Sequence, residues 1–244
     1  CRSFLKGFRK YHKNTDVIYA CKAFINGPLA KLLNEEGLGL DIVSGGELAV
    51  ANSVSFPPSK VYFHGNNKSN DELQEAIDFG IGRIVVDNLD ELITVDKLAK
   101  SHGIRQKILL RITPEVDPHT HTYTTTGALD SKFGFQLTDG SSGEAIEKSL
   151  SLDNVDLMGL HFHLGSPIFE LEPYEEAIII AVNLASKYKS QGFNMKEFSP
   201  GGGFAIAYTR SEHAPSPEEY AKAIIDTLVK SCKKSNLEIP KLIV

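Results

Sequence analysis

The chain has 244 residues, of which 41% are hydrophobic and 23% charged, and its 26 basic and 31 acidic side chains give a formal net charge of −5. This composition is typical of a globular protein with a sizeable core, and it excludes disorder, collagen and coiled coil. It also argues against a nucleic-acid-binding protein, because no basic excess or stripe is present to hold phosphates.

Short β-branched runs recur along the chain and predict eight strands. They lie at residues 16–23, 39–43, 60–64, 83–87, 107–113, 155–163, 195–199 and 241–244. Helical patterns fill most of the intervals, and a first helix over 2–12 precedes the first strand. This alternation predicts right-handed crossovers and a parallel sheet. Because the first five strands start about 22 residues apart, we expect a closed (β/α)8 TIM-type barrel rather than an open doubly wound sheet.

Local signals mark several of the helix boundaries. Helix starts are predicted at Ser69 with Glu72, at Asn88 with Glu91 and at Ser216 with Glu219, and helix ends at Gly80 and Gly192. The segment 114–143, between the fifth strand and its helix, is too long for a simple loop. It predicts a functional excursion.

The first strand ends in Lys22, and the catalytic groups of such barrels lie at the C-terminal ends of the strands. A charged amine inside an apolar strand is costly unless it is paired or used covalently. A desolvated lysine with a lowered pKa is what Schiff-base chemistry needs. The alternative is a lysine whose amine extends into solvent at the rim of the barrel.

Two further strands end in charged residues. The second ends at Asp41 and the fifth carries Arg111, a permanent cation suited to a phosphate or a carboxylate. The alternative interpretation is a structural salt bridge between the two across the barrel.

The sixth strand ends in a segment with two histidines, His161 and His163, which alternation places on one face of the strand. They could bind a metal ion together, with Asp41, His64 and Asp87 as candidate partners on other strands. Alternatively, one ring stacks on a planar cofactor while the Ser166 hydroxyl donates to its phosphate. A histidine that simply satisfies its hydrogen bonds in the core is the third interpretation.

Three glycines, Gly201, Gly202 and Gly203, follow the seventh strand, where barrel phosphate sites are often built. Backbone amides can close on an anion there only if side chains are absent, although a tight turn also explains many glycine runs. Lysine, histidine, serine and the glycine loop all lie at the same predicted end of the barrel. Pyridoxal 5'-phosphate would use every one of them.

The three cysteines, Cys1, Cys21 and Cys232, form neither a disulfide framework nor a metal-ligand spacing, which favours a reducing compartment. No apolar run approaches the roughly 18 residues of a membrane span, and no signal peptide is visible at the N-terminus. We therefore expect a cytoplasmic protein, or one of a plastid. Because the chain starts without methionine and stops inside an apolar run, we also expect residues 1–244 to be one barrel domain, incomplete at both ends.

Motifs along most of the chain resemble those of the fold-type III pyridoxal-phosphate decarboxylases, whose barrel is of the alanine racemase-like kind. They occur at residues 19–23, 41–48, 63–68, 110–112, 130–134, 159–166 and 201–203, in the family's order. The segments 117–121 and 126–127 look like the diaminopimelate branch of the family rather than the ornithine branch.

The resemblance implies a role for each candidate. Lys22 would carry the cofactor as a Schiff base, and the His163 ring would stack on the pyridine. Ser166 and residues 201–203 would bind the phosphate, with Asp41 and Arg111 as supporting polar residues, and no metal would take part. The implied reaction removes the carboxylate at the D-configured centre of meso-2,6-diaminopimelate and yields L-lysine and carbon dioxide.

The last residues, 241–244, resemble the strand before the family's Glu-Pro-Gly-Arg segment, which faces the pyridine nitrogen. A β-domain that follows it in the family completes the site across a homodimer. We expect the 244-residue chain without these parts to be inactive or nearly so. Three alternatives stay open: a decarboxylase of arginine, ornithine or carboxynorspermidine, a non-catalytic barrel that binds the cofactor, and a metal-dependent hydrolase.

Overall fold

The protein is a parallel β-barrel surrounded by helices. The computed structural model describes residues 1–116, 133–209 and 213–244. The strands are β1 (Thr15–Asp16), β2 (Ile18–Ala20), β3 (Gly39–Ile42), β4 (Val61–Phe63), β5 (Arg83–Val86), β6 (Gln106–Thr113), β7 (Phe135–Gln136), β8 (Val155–His161), β9 (Glu197–Ser199) and β10 (Lys241–Ile243). The helices are α1 (Arg2–Tyr11), α2 (Gly27–Glu35), α3 (Gly45–Ser53), α4 (Asn70–Phe79), α5 (Leu89–Ser101), α6 (Ser141–Ser151), α7 (Glu172–Lys187) and α8 (Pro217–Lys234).

The sheet closes on itself through its first strand. β1 and β2 are two parts of one strand interrupted at Val17, and β1 pairs with β10 while β2 pairs with β3. The amide of Ile18 donates to the carbonyl of Val244 at 2.7 Å across the closure. Counted in this way, the barrel has the eight predicted strands, and β7 is a short addition that pairs with β6 inside the predicted excursion. The prediction of a TIM-type barrel is confirmed.

The interior of the barrel is layered. A buried ion pair between Arg83 and Glu197 lies at the N-terminal ends of β5 and β9, with the two donor–acceptor distances at 2.7 and 2.5 Å. Above it is a small apolar cluster, which comprises Tyr62, Val85, Leu109, Met158 and Ile243. Alternation along each strand then places the next inward-facing residues at the C-terminal ends, where polar groups predominate. The larger core lies between strands and helices.

The predicted helix signals are confirmed at their positions. Ser69 and Ser216 each form a capping box with the glutamate three residues later. The Asn88 side chain accepts from the amide of Glu91, whereas the Glu91 carboxylate is paired elsewhere and does not complete a box. Gly80 ends α4 and Gly192 ends the 3-10 turn Lys189–Gln191 that follows α7, and both have a left-handed backbone. In the described residues, no helix is long and apolar enough to cross a membrane.

Candidate functional site

A cavity of about 640 Å³ opens at the C-terminal mouth of the barrel, where the inward-facing polar residues are gathered. Its lining includes all eight residues predicted to form the site, namely Lys22, Asp41, Arg111, His163, Ser166, Gly201, Gly202 and Gly203. It also includes residues with no predicted role in a cofactor site, among them His64, Asn66, Phe133 and Ser199. The barrel topology therefore brings the predicted residues from five different strand ends to one place.

Lys22 reaches the cavity differently from the prediction. The strand ends at Ala20, and Lys22 lies in a 3-10 turn over Cys21–Ala23 with its side chain exposed. The expectation of a desolvated lysine inside an apolar strand is wrong. Ala20 is the last residue of the strand, so Lys22 lies beyond the hydrogen-bonded sheet. The amine is instead presented to the open mouth of the cavity.

Asp41 and Arg111 have different neighbours, and the predicted alternative of a salt bridge between them is not observed. An Arg111 guanidinium nitrogen lies 3.7 Å from an Asp87 carboxylate oxygen, and the guanidinium stacks 4.6 Å from the centre of the Phe133 ring. Asp41 Oδ1 lies 3.8 Å from His64 Nε2. That distance is too long for a hydrogen bond, and neither atom has a hydrogen-bond partner in the part of the chain that the structure describes.

Burial dominates the electrostatics of Asp41. It raises the pKa of the carboxyl to about 7, although the nearby cations of Lys22 and Arg111 act in the opposite direction. The Asp41 side chain is 21% exposed and lines the cavity. A buried carboxyl with an unused acceptor atom is costly, so the cavity wall offers a ligand one strong hydrogen-bonding position.

The histidines at the mouth are held neutral. Burial lowers the pKa of His163 to about 4, with the charges of Lys22 and Arg111 as further causes, and it lowers those of His64 and His161 well below the usual value. His161 Nδ1 lies 3.1 Å from the Ser199 hydroxyl, and its ring packs edge to face on His64. Both His161 and His163 line the cavity, as the alternation along the strand predicts.

The metal-binding interpretation of these histidines gains no support from the geometry. Among residues 1–116, 133–209 and 213–244, no group of three histidine, cysteine or carboxylate side chains is arranged to hold a metal ion. Neutral imidazoles in a partly apolar cavity suit contact with a flat ring as well as they suit a metal ion.

The glycine loop is built by close backbone approach. A Cβ at Gly201 would lie 2.6 Å from the Phe162 carbonyl oxygen, and one at Gly203 would lie 2.0 Å from the Gly165 carbonyl oxygen. Both residues have positive φ, at 73° and 89°. Gly202 is different, because a Cβ there would meet nothing within 4 Å. The fold therefore demands two of the three glycines, and the third faces open space in the cavity wall.

A buried ion pair behind the cavity was missed by the sequence analysis. Lys68 Nζ lies 2.9 Å from a Glu91 carboxylate oxygen, and these side chains are 1% and 4% exposed. The amine also donates to the carbonyls of Gly65 and Val85, at 2.6 and 2.9 Å. Because Gly65 lines the cavity, Lys68 fixes part of its wall. The lysine that ends the motif segment 63–68 was the available signal.

Comparisons with known proteins agree closely on one family. Residues 2–244 match the family model described as "Pyridoxal-dependent decarboxylase, pyridoxal binding domain". Diaminopimelate decarboxylase of Bacillus subtilis is 40% identical over 242 residues, which cover 99% of this chain and 55% of the relative. That of Synechocystis is 41% identical, over 96% of this chain and 51% of the relative. The chain thus spans about half the length of the curated relatives it matches.

Solved structures give the same result. Diaminopimelate decarboxylase from M. jannaschii superposes with a TM-score of 0.91 at 32% identity, over 99% of this chain and 56% of that one. A lysine/ornithine decarboxylase from Vibrio vulnificus superposes with a TM-score of 0.77 at 21% identity, which shows a common fold. The motif segments 117–121, 126–127 and 130–132 of the diaminopimelate branch and of the wider family lie outside the described residues.

Proposed function

The chain belongs to the pyridoxal-dependent decarboxylase family, and on this premise we propose that it is the cofactor-binding barrel of a diaminopimelate decarboxylase. In the whole protein, one carboxylate of meso-2,6-diaminopimelate leaves as carbon dioxide and a proton takes its place, which yields L-lysine. The single observation that carries this proposal is one cavity in which Lys22, His163 and the glycine loop meet, in a chain 40% identical to a diaminopimelate decarboxylase over nearly all its length.

The residues present fit pyridoxal 5'-phosphate. The cofactor needs an accessible amine, a flat surface and an anion-binding loop, and the cavity has Lys22, His163 and residues 201–203 for these. The unpartnered, buried Oδ1 of Asp41 supplies an acceptor for a polar group of the ligand. A cavity of about 640 Å³ is also within the usual range for cofactor sites.

Each residue has a distinct part in holding the cofactor. Lys22 Nζ would condense with its aldehyde carbon, whose oxygen leaves as water, and the His163 ring would lie against the pyridine. The Ser166 hydroxyl and the amides of residues 201–203 would bind the phosphate, with Asp41 and Arg111 as polar neighbours. When bound, the cofactor supplies an electron-withdrawing ring that accepts the electron pair left by the departing carboxylate.

The charges of the cavity suit this chemistry. His163 is uncharged near neutral pH because its pKa lies at about 4, so its ring adds an apolar surface without repelling a cationic pyridine. Asp41, with its pKa at about 7, holds a proton in part of the molecules at neutral pH. Arg111 stays cationic and attracts the carboxylate or phosphate of a bound molecule.

We further propose that the whole protein is a cytoplasmic homodimer. The free state of Cys1, Cys21 and Cys232 supports a reducing compartment. The dimer is supported by the resemblance to the fold-type III family, in which a β-domain completes the site across two subunits.

The reaction is tested with protein expressed from the whole coding sequence and loaded with pyridoxal 5'-phosphate. Carbon dioxide release is measured for meso-diaminopimelate, ornithine, arginine and carboxynorspermidine in parallel. We expect the highest kcat/KM for meso-diaminopimelate, with L-lysine as the product. A higher value for another substrate would assign the protein to a sister activity. Cofactor binding without any carbon dioxide release would favour a non-catalytic binding protein.

A further inference from the structure

The glycine loop at the mouth of the barrel is held from behind by a tyrosine of α7. The Tyr174 hydroxyl donates to the carbonyl oxygen of Gly202 at 2.6 Å. Tyr174 is fully buried and lies behind the loop, whereas Gly202 and Gly203 lie in the cavity wall. The carbonyl of Gly202 is therefore turned away from the cavity.

That hydrogen bond also decides the direction of the next amide. The carbonyl of Gly202 and the N–H of Gly203 belong to one planar trans peptide, so they point in opposite directions. With the carbonyl held toward α7, the Gly203 N–H is directed toward the cavity. In the part of the chain that the structure describes, this amide has no hydrogen-bond partner.

Other contacts make the arrangement rigid. The carbonyl of Gly203 accepts from the amide of Ile168 at 2.8 Å, which fixes the following peptide as well. The Tyr174 ring stacks on Phe204 at 5.7 Å and meets Tyr220 edge-on at 6.0 Å. Burial raises the pKa of the Tyr174 phenol, so the hydroxyl keeps the proton that it donates.

We propose that Tyr174 is a positioning residue for anion binding: its hydroxyl orients the Gly202–Gly203 peptide so that the Gly203 amide donates to a phosphate in the cavity. This inference rests on the proposed function, in which the phosphate is that of the cofactor. An unpaired amide that points into a cavity is a hydrogen-bond donor already oriented for an anion. If the peptide could rotate freely, its N–H would not keep this orientation.

The test compares two ligands that differ only in the phosphate. Dissociation constants of pyridoxal 5'-phosphate and of pyridoxal are measured for the whole protein with the wild-type sequence and for its Tyr174→Phe variant, which keeps the ring and removes the hydroxyl. Loss of one buried hydrogen bond predicts a dissociation constant for pyridoxal 5'-phosphate about three- to tenfold higher, with that of pyridoxal changed less than about twofold.

The matched control is Tyr188→Phe. Tyr188 is also buried and follows the last residue of α7, about 21 Å along the helix from Tyr174. We expect this variant to bind both ligands as the wild type does. Thermal unfolding of both variants shows whether each is folded.

A second measurement does not depend on the cofactor. Titration with inorganic phosphate should shift the nitrogen and proton resonances of the Gly203 amide in the wild-type protein, and we expect a smaller shift at the same phosphate concentration in Tyr174→Phe. Equal affinities of Tyr174→Phe and wild type for pyridoxal 5'-phosphate, or equal losses for both ligands, would overturn the role of Tyr174. A wild-type whole protein that binds neither ligand would instead overturn the proposed function and the inference together.

Discussion

Gly203 and Gly165 approach so closely that a Cβ on Gly203 would lie 2.0 Å from the Gly165 carbonyl oxygen. The φ of Gly203 is also positive, at 89°, a region that side chains rarely adopt. Gly202 next to it has neither restriction. Two adjacent glycines thus serve different purposes: Gly203 allows two backbone segments to touch, and Gly202 leaves room in the cavity.

This difference predicts opposite outcomes for two alanine substitutions. Gly203→Ala strains the backbone and should lower the free energy of unfolding by about 2 kcal/mol or more. Gly202→Ala should change it by less than about 0.5 kcal/mol, yet weaken the binding of pyridoxal 5'-phosphate because the methyl group occupies the anion site. Urea unfolding and cofactor titration of both variants measure this. Unchanged cofactor affinity in Gly202→Ala would contradict the assignment of the loop.

We expect substitution of Lys22 to abolish the reaction with the cofactor without changing the stability of the fold. Its side chain is exposed at the cavity mouth, so Lys22→Ala should alter the free energy of unfolding by less than about 0.5 kcal/mol. The variant should nevertheless lose the visible absorbance that the wild type develops with pyridoxal 5'-phosphate. After borohydride reduction, mass spectrometry should find the cofactor on the peptide that contains Lys22 in the wild type and nowhere in the variant.

Lys31→Ala is the matched control for that experiment, because Lys31 is also an exposed lysine and lies on α2. It should keep the absorbance and the labelled peptide. Labelling of another lysine in the wild type would show that the assignment of Lys22 is wrong.

The strands were predictable because burial on both faces leaves a plain sequence signal. The run at 83–87, for example, is the observed β5 extended by one residue. The ends were less predictable: the first strand stops at Ala20, not at residue 23, and the sixth at His161, not at residue 163. At the mouth the backbone leaves the hydrogen-bond ladder to form the site, and no periodicity in the sequence marks that point.

Candidate site residues were predictable where a residue type suited to binding follows directly after a predicted strand, as the glycines follow the seventh strand. The residues that pair with charged side chains at and behind the site were not predictable. Asp87 lies beside Arg111, and Glu91 beside Lys68, because parallel strands and the start of α5 bring them together from distant parts of the chain. The same is true of Tyr174, which contacts Gly202 from 28 residues away.

We expect removal of one member of the Lys68–Glu91 pair to destabilise the fold more than removal of both. Burial lowers the pKa of Lys68 and raises that of Glu91, and the attraction between the opposite charges works against both shifts. Lys68→Met leaves a buried carboxylate without its partner and should destabilise the fold by about 3–5 kcal/mol. The double variant Lys68→Met/Glu91→Leu should lose less than Lys68→Met alone, as measured by urea unfolding at pH 7.

A surface pair provides the comparison. Lys222 and Asp226 are 63% and 42% exposed and lie 3.2 Å apart on α8. Lys222→Met should change the free energy of unfolding by less than about 0.5 kcal/mol. If the double variant at positions 68 and 91 were no more stable than Lys68→Met, the cost would come from lost packing and lost bonds to the carbonyls rather than from the unpaired charge.

The lowered pKa of His163 predicts that the folded protein loses stability in mild acid. Its pKa is about 4 in the folded protein against 6.5 for an unperturbed histidine, because of burial and the nearby cations. Between these values the unfolded chain binds more protons, so the contribution is complete above pH 6.5 and is lost as the pH falls toward 4. Its full size is on the order of 3 kcal/mol.

The variant His163→Asn isolates that contribution. Asp41 has the opposite linkage, since its raised pKa of about 7 makes the folded state the better proton binder and lowers stability as the pH rises from about 4 to 7. Because that effect is present in both proteins, it cancels in the difference between them. Urea unfolding from pH 7 to pH 4.5 should show the wild type losing about 2 kcal/mol more than His163→Asn. A difference between the two proteins that stays constant over this range would mean that His163 is not held neutral by the cavity.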